Sequence, residues 1–380
     1  MKILIAPDKF KGVSTAQEIS VLLRNFTQKH APQAQLRLCP VADGGEGTLL
    51  SIIYILKGKT INTTVNDPLM RFKQVQYGLS QLPDKETAII EMAQASGLLR
   101  LAPEEYNPLE TSSYGTGEIV VEAVKRHNSK HLKIALGGSA TVDGGLGFLQ
   151  AIGATFKSKT QLPPNGMSGK HLSWILGIDL EPAKQFLKGV TITGLVDVNA
   201  PLLGEYGAAR RYGPQKGANP AMVDELEKGM EQFEAVLSKA SGIVLLKNQP
   251  GAGAAGGLGM ALLALGAKLE SGFDFVSNAL KLEEQMTGCD LVITGEGKLD
   301  HSSRDGKAPV SVARLAKKLA IPCVAIVGAM APDIHWLKEE GVSKVIPLFD
   351  TPFTGPDDQR KLEVPAKMAD AVASLFQKKK

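Results

Sequence analysis

The sequence predicts an α/β protein of two domains, the first built on a parallel sheet and discontinuous along the chain, the second inserted into it. Three observations predict this. The 380 residues exceed one ordinary domain and suffice for two hydrophobic cores. Short apolar runs alternate with helical periodicity at both ends of the chain, as strands and helices do around a sheet covered on both faces. Between about 66 and 284 the texture changes to longer strand and helix patterns. The expected boundaries are 1–65 with 285–380 for the first domain and 66–284 for the second.

Taken in order, Ile3-Leu4-Ile5-Ala6 is a buried strand pattern, and Ile19, Leu22, Leu23 and Phe26 recur at helical spacing. Ser14 or Thr15 can cap that helix, with Gln17 or Glu18 reaching back. Gln35 to Val41 alternates like a strand and completes a strand, helix, strand unit. In the middle, strand patterns run over Phe72 to Leu79, Thr87 to Met92, His131 to Leu136 and Val190 to Val198, and helical patterns over Glu118 to Arg126 and Ala221 to Leu237. The last part repeats the opening grammar: a strand at Leu291 to Ile293, a helix from Pro309 to Leu319, a strand at Val324 to Val327, a short helix around Trp336 and a strand at Val345 to Leu348. Pro309 suits a first helical turn, where its missing donor would have no partner.

Charge and cysteine usage exclude several classes. A net charge of +4 with interspersed signs, and no basic run beyond Lys378 to Lys380, argues against a nucleic-acid partner. Cys39, Cys289 and Cys323 lie far apart in apolar surroundings and read as reduced core residues of a cytoplasmic protein. Met1 to Ala6 goes straight into a strand pattern, so no signal peptide is expected. The uncharged stretch Ala254 to Ala267 is shorter than the roughly 20 residues of a membrane span and reads as a buried helix.

Many of the forty glycines fall in clusters, and several of these loops share one design: a strand ends, glycines surround a carboxylate or lysine, and a helix begins. Glycine lets the backbone approach a ligand, and free N–H groups at a helix start attract anions. Asp43-Gly44-Gly45-Glu46-Gly47-Thr48 offers two carboxylates to Mg²⁺, although for that loop alone a helix cap in a tight turn is the favoured account. Gly137-Gly138-Ser139-Ala140-Thr141-Val142-Asp143-Gly144-Gly145-Leu146-Gly147 has more glycines than a turn requires. Ser113 to Glu118 divides evenly between capping and anion binding. Gly295-Glu296-Gly297-Lys298-Leu299-Asp300 and Asp8-Lys9-Phe10-Lys11-Gly12 are both expected at the carboxyl edge of the sheet, where open α/β sheets bind ligands.

Gly251-Ala252-Gly253-Ala254-Ala255-Gly256 matches a dinucleotide fingerprint literally. Asn248-Gln249-Pro250 nevertheless separates it from the apolar run before it, and close packing of a glycine-rich helix is the simpler account. Gly-x-x-x-x-Gly-Lys-[Ser/Thr] and the protein-kinase signatures do not occur. His127 and His131 are four apart, but the second opens a strand, which argues against a shared metal. No Ser-His-Asp set is discernible.

Together these loops resemble the type-1 glycerate kinase family nearly end to end. The resemblance rests on Ala6 to Gly12, Ala42 to Thr48, Ser113 to Gly117, Gly137 to Thr141, Gly213-Pro214-Gln215-Lys216-Gly217-Ala218, Gly251 to Gly259 and Thr294 to Gly297. It implies a first domain of Rossmann-like character, a site between the domains, and transfer of a phosphoryl group from ATP to glycerate, with 2-phosphoglycerate as the usual product. The chain departs from the family pattern at Met70, Val142, Ala200 and Ser302, in place of Gly, Asn, Asn and Gln.

Phosphoryl transfer needs charge stabilisation and a proton acceptor. On that reading Asp197 is the first choice for the base and Asp8 the second. Lys11 and Lys216 face phosphates, and Gly44, Gly45, Gly137, Gly138, Ser139, Gly295 and Glu296 cradle the nucleotide. Asp43 and Glu46 hold the metal directly or through water. Arg71 or Arg210 grips the substrate carboxylate, with Asp143 beside the substrate. A homodimer is left open. The rival readings are a nicotinamide-dependent oxidoreductase using Gly251 to Gly256 and a two-lobed sugar-acid sensor without chemistry.

Overall fold

The computed structural model describes residues 1–82, 85–196, 200–244, 246–353 and 358–377. The chain forms two compact units, Met1–Asp43 with Leu50–Ile55 and Phe273–Lys380, and Gly44–Leu49 with Leu56–Gly272.

The first unit carries a five-stranded sheet in the order Val342–Pro347, Cys323–Val327, Leu291–Thr294, Lys2–Ile5, Gln35–Leu38. Every neighbouring pair is parallel, and Ile5 lies beside Ile293 and Leu38. The two chain ends therefore build one sheet, as the repeated strand and helix grammar predicts. The helix Ala16–His30 begins at Thr15, whose Oγ1 accepts the Glu18 N–H at 3.2 Å while Glu18 Oε2 accepts the Thr15 N–H at 2.8 Å. This reciprocal cap satisfies two donors that the first turn leaves unpaired. The helix buries Ile19 and Leu23 and packs on the last helix, Val364–Phe376, with Ile3, Ile5, Phe10, Ile326 and Met368 in the same core. Pro309 stands in the first turn of the helix Ala308–Lys318, as expected.

Cys39, Cys289 and Cys323 are free thiols buried in this unit. Burial pushes the Cys39 and Cys323 thiols up to about 12.

The second unit holds a mixed six-stranded sheet in the order Lys268–Ser271, Thr191–Val196, His131–Ala135, Glu86–Glu91, Phe72–Gln81, Lys59–Asn66. The first four strands are parallel and the last two antiparallel. The strand Lys59–Asn66 is absent from the sequence expectation. Its Thr- and Asn-rich face is largely solvated, and only Val65 and Asn66 are buried. The helices Tyr114–His127 and Pro220–Ser241 bury Ile119, Val120, Leu226, Met230 and Phe233 in the core of this unit. Asn219 Oδ1 caps the second of them, accepting the Met222 N–H at 3.0 Å.

The buried stretch after Gly253 is a helix, Ala254–Ala264, but it opens irregularly. Ala255, Gly256 and Gly257 all take left-handed backbone angles, with φ of 55°, 67° and 93°. The cause is a neighbour. The Gly256 carbonyl accepts the Gly144 N–H at 2.9 Å, and a Cβ on Gly256 would stand 1.9 Å from the Thr141 carbonyl oxygen. Among the described residues no helix is long and apolar enough to cross a membrane.

Candidate functional site

In the first unit, the loops after the strands Lys2–Ile5 and Leu291–Thr294 run side by side, as expected. The Ala6 N–H donates to the Ile293 carbonyl and the Asp8 N–H to the Gly295 carbonyl, both at 2.8 Å. This brings Asp8 and Glu296 to one edge of the sheet, with Asp43 from the loop after the next strand. Their residues are 4%, 7% and 8% exposed, so three carboxylates share a poorly solvated space. Burial, opposed by Lys9 and reinforced by the charge of Asp43, lifts the Asp8 carboxyl well above the usual carboxylate range. Burial also lifts Glu296 to about 8, against the opposing Lys307 charge and the Ser303 hydrogen bond and with help from Asp8 and Asp43. Such a set of hard oxygen donors, destabilised by its own charge, fits a hard divalent cation that keeps most of its water. Among the described residues no three His, Cys, Asp or Glu side chains converge closely enough to hold a metal by themselves.

Lys9 and Lys307 bring cations to the buried carboxylates of this edge. Lys9 Nζ lies 3.8 Å from Asp8 Oδ1, and Lys307 Nζ lies 3.9 Å from Glu296 Oε2 and 3.6 Å from Asp300 Oδ1. Ser303 Oγ donates to Glu296 Oε1 at 2.9 Å. Lys11 is exposed, and its backbone N lies 3.1 Å from where a Cβ on Gly297 would stand. Sequence reasoning missed Lys307 and Ser303; the available signal was a glycine-lysine pair just ahead of the proline in the first turn of a helix.

In the second unit, the loop Gly44 to Thr48 meets the loop that follows the strand His131–Ala135. A Cβ on Gly137 would stand 2.5 Å from the Gly45 Cα, so that contact admits only glycine, and Glu46 Oε1 lies 3.2 Å from the equivalent point on Gly138. Ser139 meets Lys216, 77 residues away, whose ammonium donates to Ser139 Oγ and to the Thr141 carbonyl, both at 2.8 Å. Lys216 is 4% exposed and bonds to neutral acceptors; burial pulls its amine down to about 7 against a raising contribution from Asp143.

Asp143 is fully buried, and its two oxygens accept the Ser113 N–H and hydroxyl and the Gly145 and Gly147 N–H groups at 2.7–3.3 Å. Burial still raises its carboxyl, against these four hydrogen bonds. This carboxylate ties the glycine loop to the start of the helix Tyr114–His127.

The two arginines expected to grip substrate are engaged elsewhere in the unit. Arg71 Nε donates to the fully buried Asp67 at 2.6 Å, and its Nη1 donates to Glu105. Arg210 lies 3.1 Å from Asp224 and 3.8 Å from Glu227. The Asp67/Arg71 spacing of four residues across a turn was a local signal for the first of these pairs. Asp197 lies outside the described residues. Met70 takes a left-handed φ of 63°, a conformation that favours the glycine expected there from the resemblance, and its Sδ lies 2.4 Å from where a Cβ on Gly166 would stand.

The dinucleotide-like segment does not follow a strand: the preceding described residues form a short 3-10 turn, Leu246–Asn248, and Gly256 packs on the Thr141 carbonyl. Its glycines serve packing. His131 Nδ1 meets Thr191 Oγ1 at 2.7 Å, and the His127 ring stacks edge-on against Tyr77.

Comparison with known proteins places this geometry in a family. The glycerate kinase family model matches residues 3–376. The chain is 40% identical over 365 residues to glycerate 2-kinase of Escherichia coli (strain K12), covering 94% of each. It is 41% identical over 350 residues to a glycerate kinase of Haemophilus influenzae, covering 92% of this chain and 91% of that one. A crystal structure ascribed to glycerate kinase 2 of Salmonella typhimurium LT2 superposes with a TM-score of 0.81 at 34% identity, covering 99% and 97% of the two chains. Parallel α/β architecture, glycine loops and near-complete coverage agree, and the chain belongs to the glycerate kinase family, whose members are phosphotransferases acting on an alcohol.

Proposed function

We propose that this protein transfers the terminal phosphoryl group of ATP to glycerate, forming 2-phosphoglycerate. The observation that supports this most, beyond family membership, is the lysine buried on a glycine loop: Lys216 sits on Ser139 and Thr141, an arrangement suited to an incoming phosphate. Gly44, Gly45, Gly137, Gly138 and Ser139 present backbone and hydroxyl donors to the nucleotide, and Gly295, Glu296 and Lys11 are proposed as further nucleotide contacts. Asp43 and Glu46 would hold Mg²⁺ directly or through water. When bound, the ion supplies neutralisation of phosphate charge.

Asp197 accepts the alcohol proton, with Asp8 as second choice. The raised carboxyl of Asp8 supports that alternative, because a base works best when its proton affinity lies near the working pH. Arg71 or Arg210 takes the substrate carboxylate, which requires either one to exchange a present carboxylate partner for the substrate. Asp143 acts on the substrate through the loop it holds. The two units serve as two domains, the second inserted in the first. A cytoplasmic location is supported by three unpaired buried thiols.

The test is an ATP-consumption assay across glycerate and related hydroxy acids, with phosphorus NMR to identify the product. Turnover independent of glycerate would remove the substrate assignment, and 3-phosphoglycerate would correct the acceptor hydroxyl. Lys11→Ala and Asp197→Asn should each lower turnover about 10²- to 10³-fold. Near-normal turnover in both, with normal folding, would overturn the roles given to them.

A further inference from the structure

Lys307 has no role in the reaction as described so far. It stands between Gly306 and Ala308, immediately before the helix Ala308–Lys318, with its side chain 29% exposed. Its ammonium lies 3.9 Å from Glu296 and 3.6 Å from Asp300. Both distances exceed the 2.7–3.2 Å of an N–H···O hydrogen bond, so among the described residues Lys307 balances charge without donating to either carboxylate. Each carboxylate also has a closer partner: Ser303 Oγ donates to Glu296 at 2.9 Å, and Lys298 Nζ lies 3.1 Å from Asp300. Neither depends on Lys307 for its geometry.

A phosphate approaching this sheet edge meets Asp8, Asp43 and Glu296, buried groups that repel it wherever they are ionised. Beside the metal ion proposed above, a cation of the chain on the same edge offsets that repulsion. Lys9 is turned to Asp8. Lys307 has three N–H donors on a flexible four-carbon stem, at the start of a helix whose dipole favours anions. We propose that Lys307 is a phosphate-contacting residue of the kinase reaction: its ammonium passes from the space between Glu296 and Asp300 to the phosphate oxygens of the bound nucleotide. This inference rests on the phosphotransferase reading given above.

The experiment is calorimetric titration of the wild type, Lys307→Met and Lys307→Arg with a nonhydrolysable ATP analogue and, separately, with adenosine, which has no phosphate. The methionine variant should bind the analogue about 10- to 100-fold more weakly while its adenosine affinity stays at the wild-type value, and arginine should restore most of the loss. If analogue and adenosine weaken together, Lys307 acts only on structure and the proposal is overturned. Wild-type affinity for the analogue in the methionine variant also overturns it. Should the methionine variant melt early, Lys307→Gln provides the same comparison. A wild-type protein that binds neither ligand would remove the kinase reading itself, a result distinct from any behaviour of the variants.

Discussion

The buried amine of Lys216 makes a quantitative prediction. Its proton affinity falls from an ordinary 10.5 to about 7 in the folded protein, chiefly because burial disfavours the charged form. Between these values the unfolded chain holds a proton that the native protein lacks, so this group's contribution makes stability rise with pH from about 7 to 10.5. Below about 7 both states are protonated, and the full cost of burying the charge applies. Integrating the two titrations gives a cost of about 4 kcal/mol at pH 7 and about 1.5 kcal/mol at pH 9.5. Lys216→Met removes that pH-dependent cost and also removes two hydrogen bonds, worth about 1 kcal/mol each at any pH. The variant should therefore be more stable than the wild type by about 2 kcal/mol at pH 7 and slightly less stable at pH 9.5. Urea unfolding followed at Trp174 in a Trp336→Phe background isolates the second unit, since the chain has only these two tryptophans. A difference between variant and wild type that is the same at both pH values would refute the reasoning. If Lys216 serves phosphate as proposed, the same variant loses about 10²- to 10³-fold in turnover, so stability and activity move in opposite directions.

Glu296 titrates with the opposite sign: it is raised from 4.5 to about 8, so its contribution to stability is present below about 4.5 and is lost as pH rises through 8. Glu296→Gln should therefore gain stability relative to wild type on going from pH 5 to pH 9, by up to about 4 kcal/mol; a flat difference in denaturant midpoints would count against the burial argument. Gly256→Ala adds a left-handed penalty and a Cβ 1.9 Å from the Thr141 carbonyl, for a loss of about 3 kcal/mol in thermal or urea unfolding. Gly189→Ala, with φ of 75° and open space around it, should lose only about 1–2 kcal/mol, and equal losses would show that the close approach carries no cost. Asp143→Asn turns a donor toward the N–H groups that the carboxylate now satisfies. It should lose about 2–4 kcal/mol in the same unfolding assay, and an unchanged midpoint would exclude the anchoring role.

The strands Lys2–Ile5, Leu291–Thr294 and Cys323–Val327 were legible because a parallel sheet covered on both faces demands continuous apolar residues, which leaves an unmistakable pattern. The strand Lys59–Asn66 was not, because an edge strand with solvent on one face can be built from Thr and Asn. Its existence depends on pairing with Phe72–Gln81, a long-range fact. The loops around Asp8 and Glu296 were legible as partners from strand direction alone. What no local pattern could reveal was who compensates whom: Lys307 beside Glu296, Glu105 on Arg71, and four donors on Asp143 depend on the tertiary structure. The left-handed run after Ala254 was hidden for the same reason, since the Thr141 loop that imposes it is more than a hundred residues earlier.

The distribution of sulfur has a practical consequence. All three thiols belong to the first unit and none to the second, and the native protein keeps them both covered and protonated. A brief pulse of an alkylating reagent would therefore mark only molecules whose first unit has opened, giving a mass-spectrometric clock for that half of the chain while the other half stays silent. Run with and without nucleotide, such labelling would tell whether ligand protects the first unit, without any engineered probe.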